Sequence, residues 1–344
     1  MARRAKETPL EERVVLAHGG GGELTRRLVA EHVVGRLGNE LLDPLTDGAV
    51  LDIGTGRICL TTDAYVVTPL EFPGGDIGRL AVCGTVNDLA VMGAEAKVLS
   101  LALVIEEGLP LATLDRVLDS IAAAAAEAGV LIATGDTKVV ERARGDGLTV
   151  TTAGIGVLRD DVRPGMERIA PGDVVIVTGR IAEHGLAVMS AREGLGFDTK
   201  LRSDVAPLGG LVRAVCDTGA DLKFLRDPTR GGLAGVLADL AEGTGLSVEV
   251  EEDKIPISPT ARHAAELLGL DPLTVANEGK CVIVVAPEGA EDVLSACRRD
   301  PLGARAAAIG RVVDTAPPLV ELLTRSGGRR IIQRPYGEDL PRIC

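Results

Sequence analysis

The chain has 344 residues, too many for one typical core and a good length for two domains. Its formal charge of −13 argues against a nucleic-acid or acidic-membrane partner, since either calls for a basic face. Hydrophobic residues make up 46% and aromatics only 1%, with no Trp, so the interiors must be packed from Val, Leu, Ile and Ala.

The first thirteen residues, "MARRAKETPLEER", are basic, but no apolar run follows. They read as an extension (1–13) and not as a secretory signal. "AHGGGGEL" comes next, with Gly20 and Gly21 inside four consecutive glycines. Its backbone N–H groups could cover phosphates like a flap, although it is not a Walker A loop, and His18 reads as a loop histidine. "DGAVLDIG" is a turn before a strand, and "RICLTTDAYVV" is a β-branched strand bounded by glycine. "DIGRLAVCGTVNDLAVMG" has helical spacing, with Ile77, Leu80, Ala81 and Gly84 on one stripe. "KVLSLALVI" is a buried strand, and "LATLDRVLDSIAAAAAEAG" is a helix closed by Gly129. "VLIATGDTKVV" and "TVTTAGIGVL" are further strands, and "RDDVRPGMERIAPGD" looks like a domain boundary.

The second half restarts with the strand "DVVIVTG" and a helix near "EHGLAVMSAREG". Helices are expected around 207–219, 232–243 and 288–298, and in "TARHAAELLG"; strands are expected in "LSVEVEE", "KCVIVVAP" and "AAIGRVV". The expected organisation is α/β (α+β): an N-terminal domain over 14–163, a C-terminal domain over 164–331, and a polar arm over 332–344. The arm, "QRPYGEDLPRIC" after Ile332, should be extended and mobile. No stretch approaches about 18 uninterrupted apolar residues, so no membrane span is expected and a cytoplasmic location is.

The six cysteines form no C-x-x-C pair, and Cys59, Cys83, Cys216 and Cys281 sit in apolar segments as core residues. Cys344 is the last residue. Prenylation needs a cysteine fourth from the end, where Pro341 stands.

Five aspartates fall where a carboxylate is costly. Asp88 shares the apolar stripe of its helix, where capping cannot explain it. Asp63 lies inside a strand pattern, while Asp47, Asp136 and Asp227 sit at strand ends. A single Asp in such a turn is more often a turn former or helix cap. Together they form a set of hard oxygen ligands suited to Mg²⁺ and nucleotide phosphates.

The segments "DGAVLDIG", "LTTDAYVVTPLEFPGGDIGRLAVCGTVNDLAVMGA", "TGDTKVV", "RDPTRGGLAGVL" and "NEGK" resemble the ATP-dependent superfamily of aminoimidazole ribonucleotide synthetase, selenophosphate synthetase and thiamine-monophosphate kinase. Within it, "PRIC", "TGDTKVV" and "NEGK" resemble the HypE family of carbamoyl dehydratases, from about residue 14 to the end. The resemblance implies a two-domain fold whose N-terminal domains pair into a dimer. It implies that Cys344 carries a carbamoyl group placed there by the carbamoyltransferase HypF. ATP then converts the S-carboxamide to a thiocyanate, and the cyano group passes to the HypC–HypD complex for the [NiFe]-hydrogenase centre.

It also implies roles. Asp63, Asp88 and Asp227, with Asp47, hold Mg²⁺ and phosphate; Asp136, Asn87 and Asn277 assist in binding the nucleotide. Glu278 is the best candidate for the base. Lys138 is the candidate cation, sharing proton transfer if it is buried. Kinases and synthetases of the superfamily do not need a terminal cysteine, and a non-catalytic scaffold does not need the aspartates.

Overall fold

The computed structural model describes residues 22–34, 39, 43–54, 56–194, 201–337 and 342–344. The extension, His18, Gly20 and Gly21 lie outside the described residues. After the short helix α1 (Glu23–Leu28) come β1 (Ala49–Asp52), β2 (Arg57–Tyr65), and a two-residue hairpin of β3 (Glu71–Phe72) and β4 (Gly75–Asp76). The helix α2 (Ile77–Val91), β5 (Ala94–Glu106), α3 (Leu111–Ala128), β6 (Leu131–Val140) and β7 (Leu148–Leu158) complete the first domain. Its five-stranded sheet has the order β1-β2-β7-β5-β6. Among hydrogen-bonded neighbours only β5 and β6 are parallel, and the helix α3 makes the crossover that a parallel pair needs.

Side-chain alternation gives this sheet one covered face. Along β2, Cys59, Thr61 and Tyr65 are buried, while Leu60, Thr62 and Ala64 are exposed. α2 lies against the inner face. Its first turn is capped by the Asp76 carboxylate, which accepts from the Gly78 and Arg79 N–H groups at 2.7 and 2.9 Å. Such a cap is worth about 1 kcal/mol. α3 packs outside it with Val117, Ile121, Ala124 and Ala125 buried on one stripe. It ends at Gly129, whose φ of +70° makes the left-handed cap that glycine adopts most easily.

The second domain runs β8 (Val174–Val177), α4 (Glu183–Arg192), α5 (Gly209–Cys216), β9 (Leu222–Arg226), α6 (Gly232–Thr244) and β10 (Ser247–Glu251). It continues with α7 (Pro259–Leu268), β11 (Val282–Val285), α8 (Ala290–Arg299), β12 (Ala307–Val313), β13 (Val320–Leu323) and β14 (Arg329–Ile332). Seven strands form one sheet in the order β14-β13-β10-β12-β8-β11-β9. β11 is buried along its whole length, since α6 covers one face of the sheet and α5 with α8 the other. That explains its unbroken apolar sequence. The four cysteines expected in the core are all buried.

The sequence reading did not name β9, β13 and β14. β9 is "LKFLR", too short and too charged to stand out, and β14 leaves Arg329, Arg330 and Ile331 exposed at a sheet edge. A second difference concerns the arm. Arg334 is only 9% exposed at its side chain and pairs with Asp239 and Glu242 on α6. Arg342–Cys344 are docked between the domains, with Ile343 3% exposed. The mobile arm is therefore held at both described ends, by ion pairs at one and by apolar burial at the other. Among the described residues, no helix is long and apolar enough to cross a membrane.

The segment 201–208 ties the domains together. Ser203 N–H donates to Pro73 O at 2.7 Å, and Arg79 Nε donates to Val205 O at 3.1 Å. This strap brings the "NEGK" turn of the second domain over the face of α2.

Candidate active site

Cys344, Asp63, Asp88, Asp227, Arg230 and Glu278 line one pocket at the domain seam. Each arrives on a different element. β2 carries Asp63, α2 carries Asp88, the loop between β9 and α6 carries Asp227 and Arg230, and the turn before β11 carries Glu278. The end of the chain delivers Cys344.

Three carboxylates converge. Oxygens of Asp47, Asp88 and Asp227 lie within 4.8 Å of one another. Burial, followed by the charges of Asp227, Asp63 and Asp47, pushes Asp88 well above the ordinary carboxylate range. Burial raises Asp227 as well, with Asp47 and Asp63 adding to it. Asp47 is also raised by burial, although Arg226 opposes this through hydrogen bonds at 3.0 and 3.1 Å. Like charges packed this closely call for a cation, and an all-carboxylate oxygen set fits Mg²⁺. Asp63 stands beside the trio, accepting from the Tyr65 hydroxyl at 3.2 Å and from Thr85 at 3.0 Å.

Tyr65 reaches Asp63 because α2 has no side chain at Gly84. A Cβ there would overlap the Tyr65 hydroxyl. Gly84→Ala should destabilise the chain by about 1–3 kcal/mol despite alanine's better helix propensity. The urea midpoint would show it, and an unchanged midpoint would mean the overlap is relieved freely.

Glu278 is 2% exposed, and its Oε1 has no hydrogen-bond partner among the described residues. Burial pushes its pKa well up, aided by Asp227, Asp204 and Asp63 and opposed by Arg230. Its backbone is pinned on both sides. Its N–H donates to Asp204 at 3.1 Å, and its carbonyl accepts from Asn87 Nδ2 at 3.2 Å. A buried carboxyl on a fixed backbone that lines the pocket, with one oxygen unpaired, suits proton transfer.

The expected nucleotide contacts of Asn87 and Asn277 become structural ones here. Asn87 donates to Ala206 O and Glu278 O and accepts from Leu208 N–H. Asn277 donates to Pro228 O and Val275 O and accepts from Ala182 N–H at 2.7 Å. Both amides are buried and engaged by backbone, so they stand behind the pocket and hold its loops in place.

Asp136 and Lys138 are not brought to this pocket by their own chain. Both are exposed on β6. In the sheet order, β6 lies three strand spacings from β2, about 14 Å from the strand that bears Asp63. The burial on which a share of Lys138 in proton transfer depends does not occur within the single chain.

Arg230 was missed by the sequence reading. It sits in the quoted "RDPTRGG", but an arginine at a helix start has no periodic signature. Its pKa is raised chiefly by Cys344, then by Asp63 and Glu278. It is a positive group that the chain itself places beside Cys344.

Comparison with known proteins identifies the family. Residues 45–158 match the family described as AIR synthase related protein, N-terminal domain, and residues 170–318 match its C-terminal domain. The carbamoyl dehydratase HypE of Rhizobium leguminosarum bv. viciae is 49% identical over 333 residues, covering 96% of this chain and 95% of that protein. A solved HypE–HypF complex contains a chain 45% identical, with a TM-score of 0.85, covering 90% of this chain and 99% of that one. A HypE solved in complex with ATP is 41% identical, with a TM-score of 0.81, covering 96% of this chain and all of that one. With two AIR synthase related domains and this identity over nearly its full length, the chain belongs to the HypE family of carbamoyl dehydratases that act in hydrogenase maturation.

Proposed function

We propose that this pocket dehydrates a carbamoyl group carried on Cys344 to a thiocyanate, using ATP, and so supplies the cyanide ligand of the [NiFe]-hydrogenase centre. The observation that carries the reading is that the chain's last side chain lines the same pocket as Asp63, Asp88, Asp227 and Glu278. An amide holds its oxygen because hydroxide is a poor leaving group. Phosphoryl transfer from ATP to that oxygen, with release of ADP, makes phosphate the leaving group instead. The amide nitrogen loses one proton as the oxygen is phosphorylated. It loses the other as phosphate departs, leaving S–C≡N.

Glu278 takes protons from that nitrogen, and a buried carboxyl with a raised pKa is the stronger base for doing so. Arg230 offsets the negative charge that develops beside Cys344. Mg²⁺, held by Asp47, Asp88 and Asp227 with Asp63 alongside, would supply charge neutralisation at the phosphates. The relatives solved with ATP and with HypF support ATP as the phosphoryl donor and HypF as the partner that loads Cys344. The HypC–HypD complex is then the acceptor of the cyano group, and the reaction takes place in the cytoplasm.

The outer face of the first sheet is the homodimer interface in this reading. Leu60, Ile155 and Val157 are exposed on it, and Leu131 is 72% exposed on β6. Pairing through that face lets a neighbouring copy's β6 bring Asp136 and Lys138 to the pocket that its own chain does not reach. Ile155→Glu, on that outer face opposite Leu60, should therefore convert a dimer into a monomer by sedimentation and lower turnover. A wild-type chain that is fully active as a monomer would sink the idea.

The test of the central reading is mass spectrometry of the C-terminal peptide after incubation with the carbamoyltransferase, carbamoyl phosphate, ATP and Mg²⁺. Gain of a carbamoyl group at Cys344, followed by loss of one water, is expected. An unmodified Cys344, with the transferase active on a control, would overturn it.

A further inference from the structure

The last three residues are gripped through their backbone, and α4 supplies most of the grip. The Arg342 carbonyl accepts from Arg192 Nη2 at 2.6 Å and from Thr68 N–H at 3.2 Å. Arg192 Nε donates to Thr68 O at 2.9 Å, so one guanidinium joins the arm to a loop of the first domain. The Ile343 carbonyl bonds His184 Nε2 at 3.0 Å. On the other side of the ring, His184 Nδ1 meets Ser203 Oγ at 2.8 Å. Ser203 Oγ already accepts from Val205 N–H at 3.1 Å, which leaves its hydroxyl hydrogen for Nδ1. That arrangement fixes the tautomer with the proton on Nε2, where it points at the arm.

The grip has a shape as well as bonds. His184 is fully buried, with its ring edge-on to Phe72 at 5.4 Å and 86°. Ile343 packs into the apolar cluster that includes Phe72, Val188 and Val205. Arg342 takes a φ of +57°, uncommon for a residue with a Cβ, and its side chain pairs with Asp146 at 2.8 Å. This left-handed bend turns Cys344 from the surface into the pocket. The contacts read backbone carbonyls and one apolar side chain, and they do so at a fixed distance from the thiol.

We propose that His184 and Arg192 are positioning residues, forming a clamp that sets how deeply Cys344 enters the pocket. Its ligand class is a chain end of one apolar residue followed by cysteine, bent at the residue before. The inference rests on the reading that Cys344 bears the reacting group, but its test does not use that chemistry. The clamp must hold during the reaction and release for transfer, so it consists of a few hydrogen bonds and one buried side chain.

The experiment is alkylation of the full chain with iodoacetamide, without ATP, Mg²⁺ or a carbamoyl donor, scored at Cys344 by peptide mass spectrometry. Cys344 in the wild type should react more slowly than the same cysteine in a free peptide of the last residues. Arg192→Ala should speed it by about ten- to a hundredfold, the loss expected for hydrogen bonds from a charged donor. Arg192→Lys should restore part of the protection, which a merely structural role would not do. Ile343→Ala, in the arm itself and outside either domain's fold, should expose Cys344 similarly. Wild-type Cys344 reacting like the free peptide, or Arg192→Ala and Ile343→Ala reacting like wild type, would overturn the clamp. A chain that protects Cys344 through Arg192 yet never forms thiocyanate would instead overturn the proposed reaction and leave the clamp standing.

Discussion

Asp227→Asn should slow ATP-driven turnover by about a thousandfold and, in the absence of metal, should make the chain more stable. The two effects have one origin. Asp47, Asp88 and Asp227 place oxygens within 4.8 Å of one another, and burial with Asp47 and Asp63 nearby pushes Asp227 up to about 8. A carboxyl whose folded pKa lies above its ordinary value of 3.8 contributes stability at low pH. That stability is lost as pH rises toward the folded value. The metal-free wild type should therefore melt at progressively lower temperature as pH rises from about 4 toward about 8. Mg²⁺ should raise the melting temperature and flatten that slope, because it favours the ionised carboxylates. The Asn variant carries one fewer buried charge, so its slope should already be flatter and its response to Mg²⁺ small. Charge stabilisation of several kcal/mol at the phosphates converts to the thousandfold loss in rate. Equal Mg²⁺ stabilisation of both proteins would remove Asp227 from the metal site.

This coupling of cost and function is what the sequence made visible. Asp88 could be singled out because it interrupts an apolar stripe, and the structure places it in the carboxylate trio. The alternating strands and the long helices were legible because each buries one face, and periodicity records that. Residues whose partners are set by the tertiary fold were not legible. Nothing in the spacing of Asn87 or Asn277 distinguishes a nucleotide contact from a backbone pin, since either use needs only an amide in a loop. Arg230 and His184 lack any repeat, and their roles appear only when the chain end arrives beside them. Lys138 was assigned a role at the pocket from its motif. Its exposed position on β6, three strands from β2, shows that a motif conveys chemistry without saying where the fold puts it.

The arm illustrates the same limit. Composition marks "QRPYGEDLPRIC" as polar, and its described residues lie outside the regular elements, but composition averages over residues with opposite roles. Arg334 is held on α6 by two carboxylates, and Ile343 is as buried as a core side chain. Two anchors separated by a few residues can dock an arm that would otherwise be free, because each needs to order only its own short stretch. The same arrangement allows release of the distal anchor without loss of the proximal one. Under the proposed function, an arm that carries a group to partners needs this property.

Glu278→Gln should leave carbamoylation of Cys344 and ATP binding intact, and should slow the loss of water by about 10²–10⁴-fold, the range for a removed general base. Gln keeps the volume of the side chain and leaves the backbone bonds to Asp204 and Asn87 untouched, so the loop should stay in place. What it removes is a buried carboxyl raised by desolvation and by Asp227, Asp204 and Asp63. A base works only when ionised. The rate in the wild type should therefore climb with pH through a range above that of an ordinary carboxylate, and the Gln variant should lack this rising limb. The orphaned Oε1 makes this possible, because a carboxyl fully paired within the protein would have no lone pair with which to take the proton from the amide nitrogen. Accumulation of carbamoylated Cys344 that loses water slowly, with no pH limb, is the expected signature. A Gln variant that forms thiocyanate at the wild-type rate would pass the base's role to another group. Lys138, brought to the pocket by a second copy in the proposed dimer, would be the first to test.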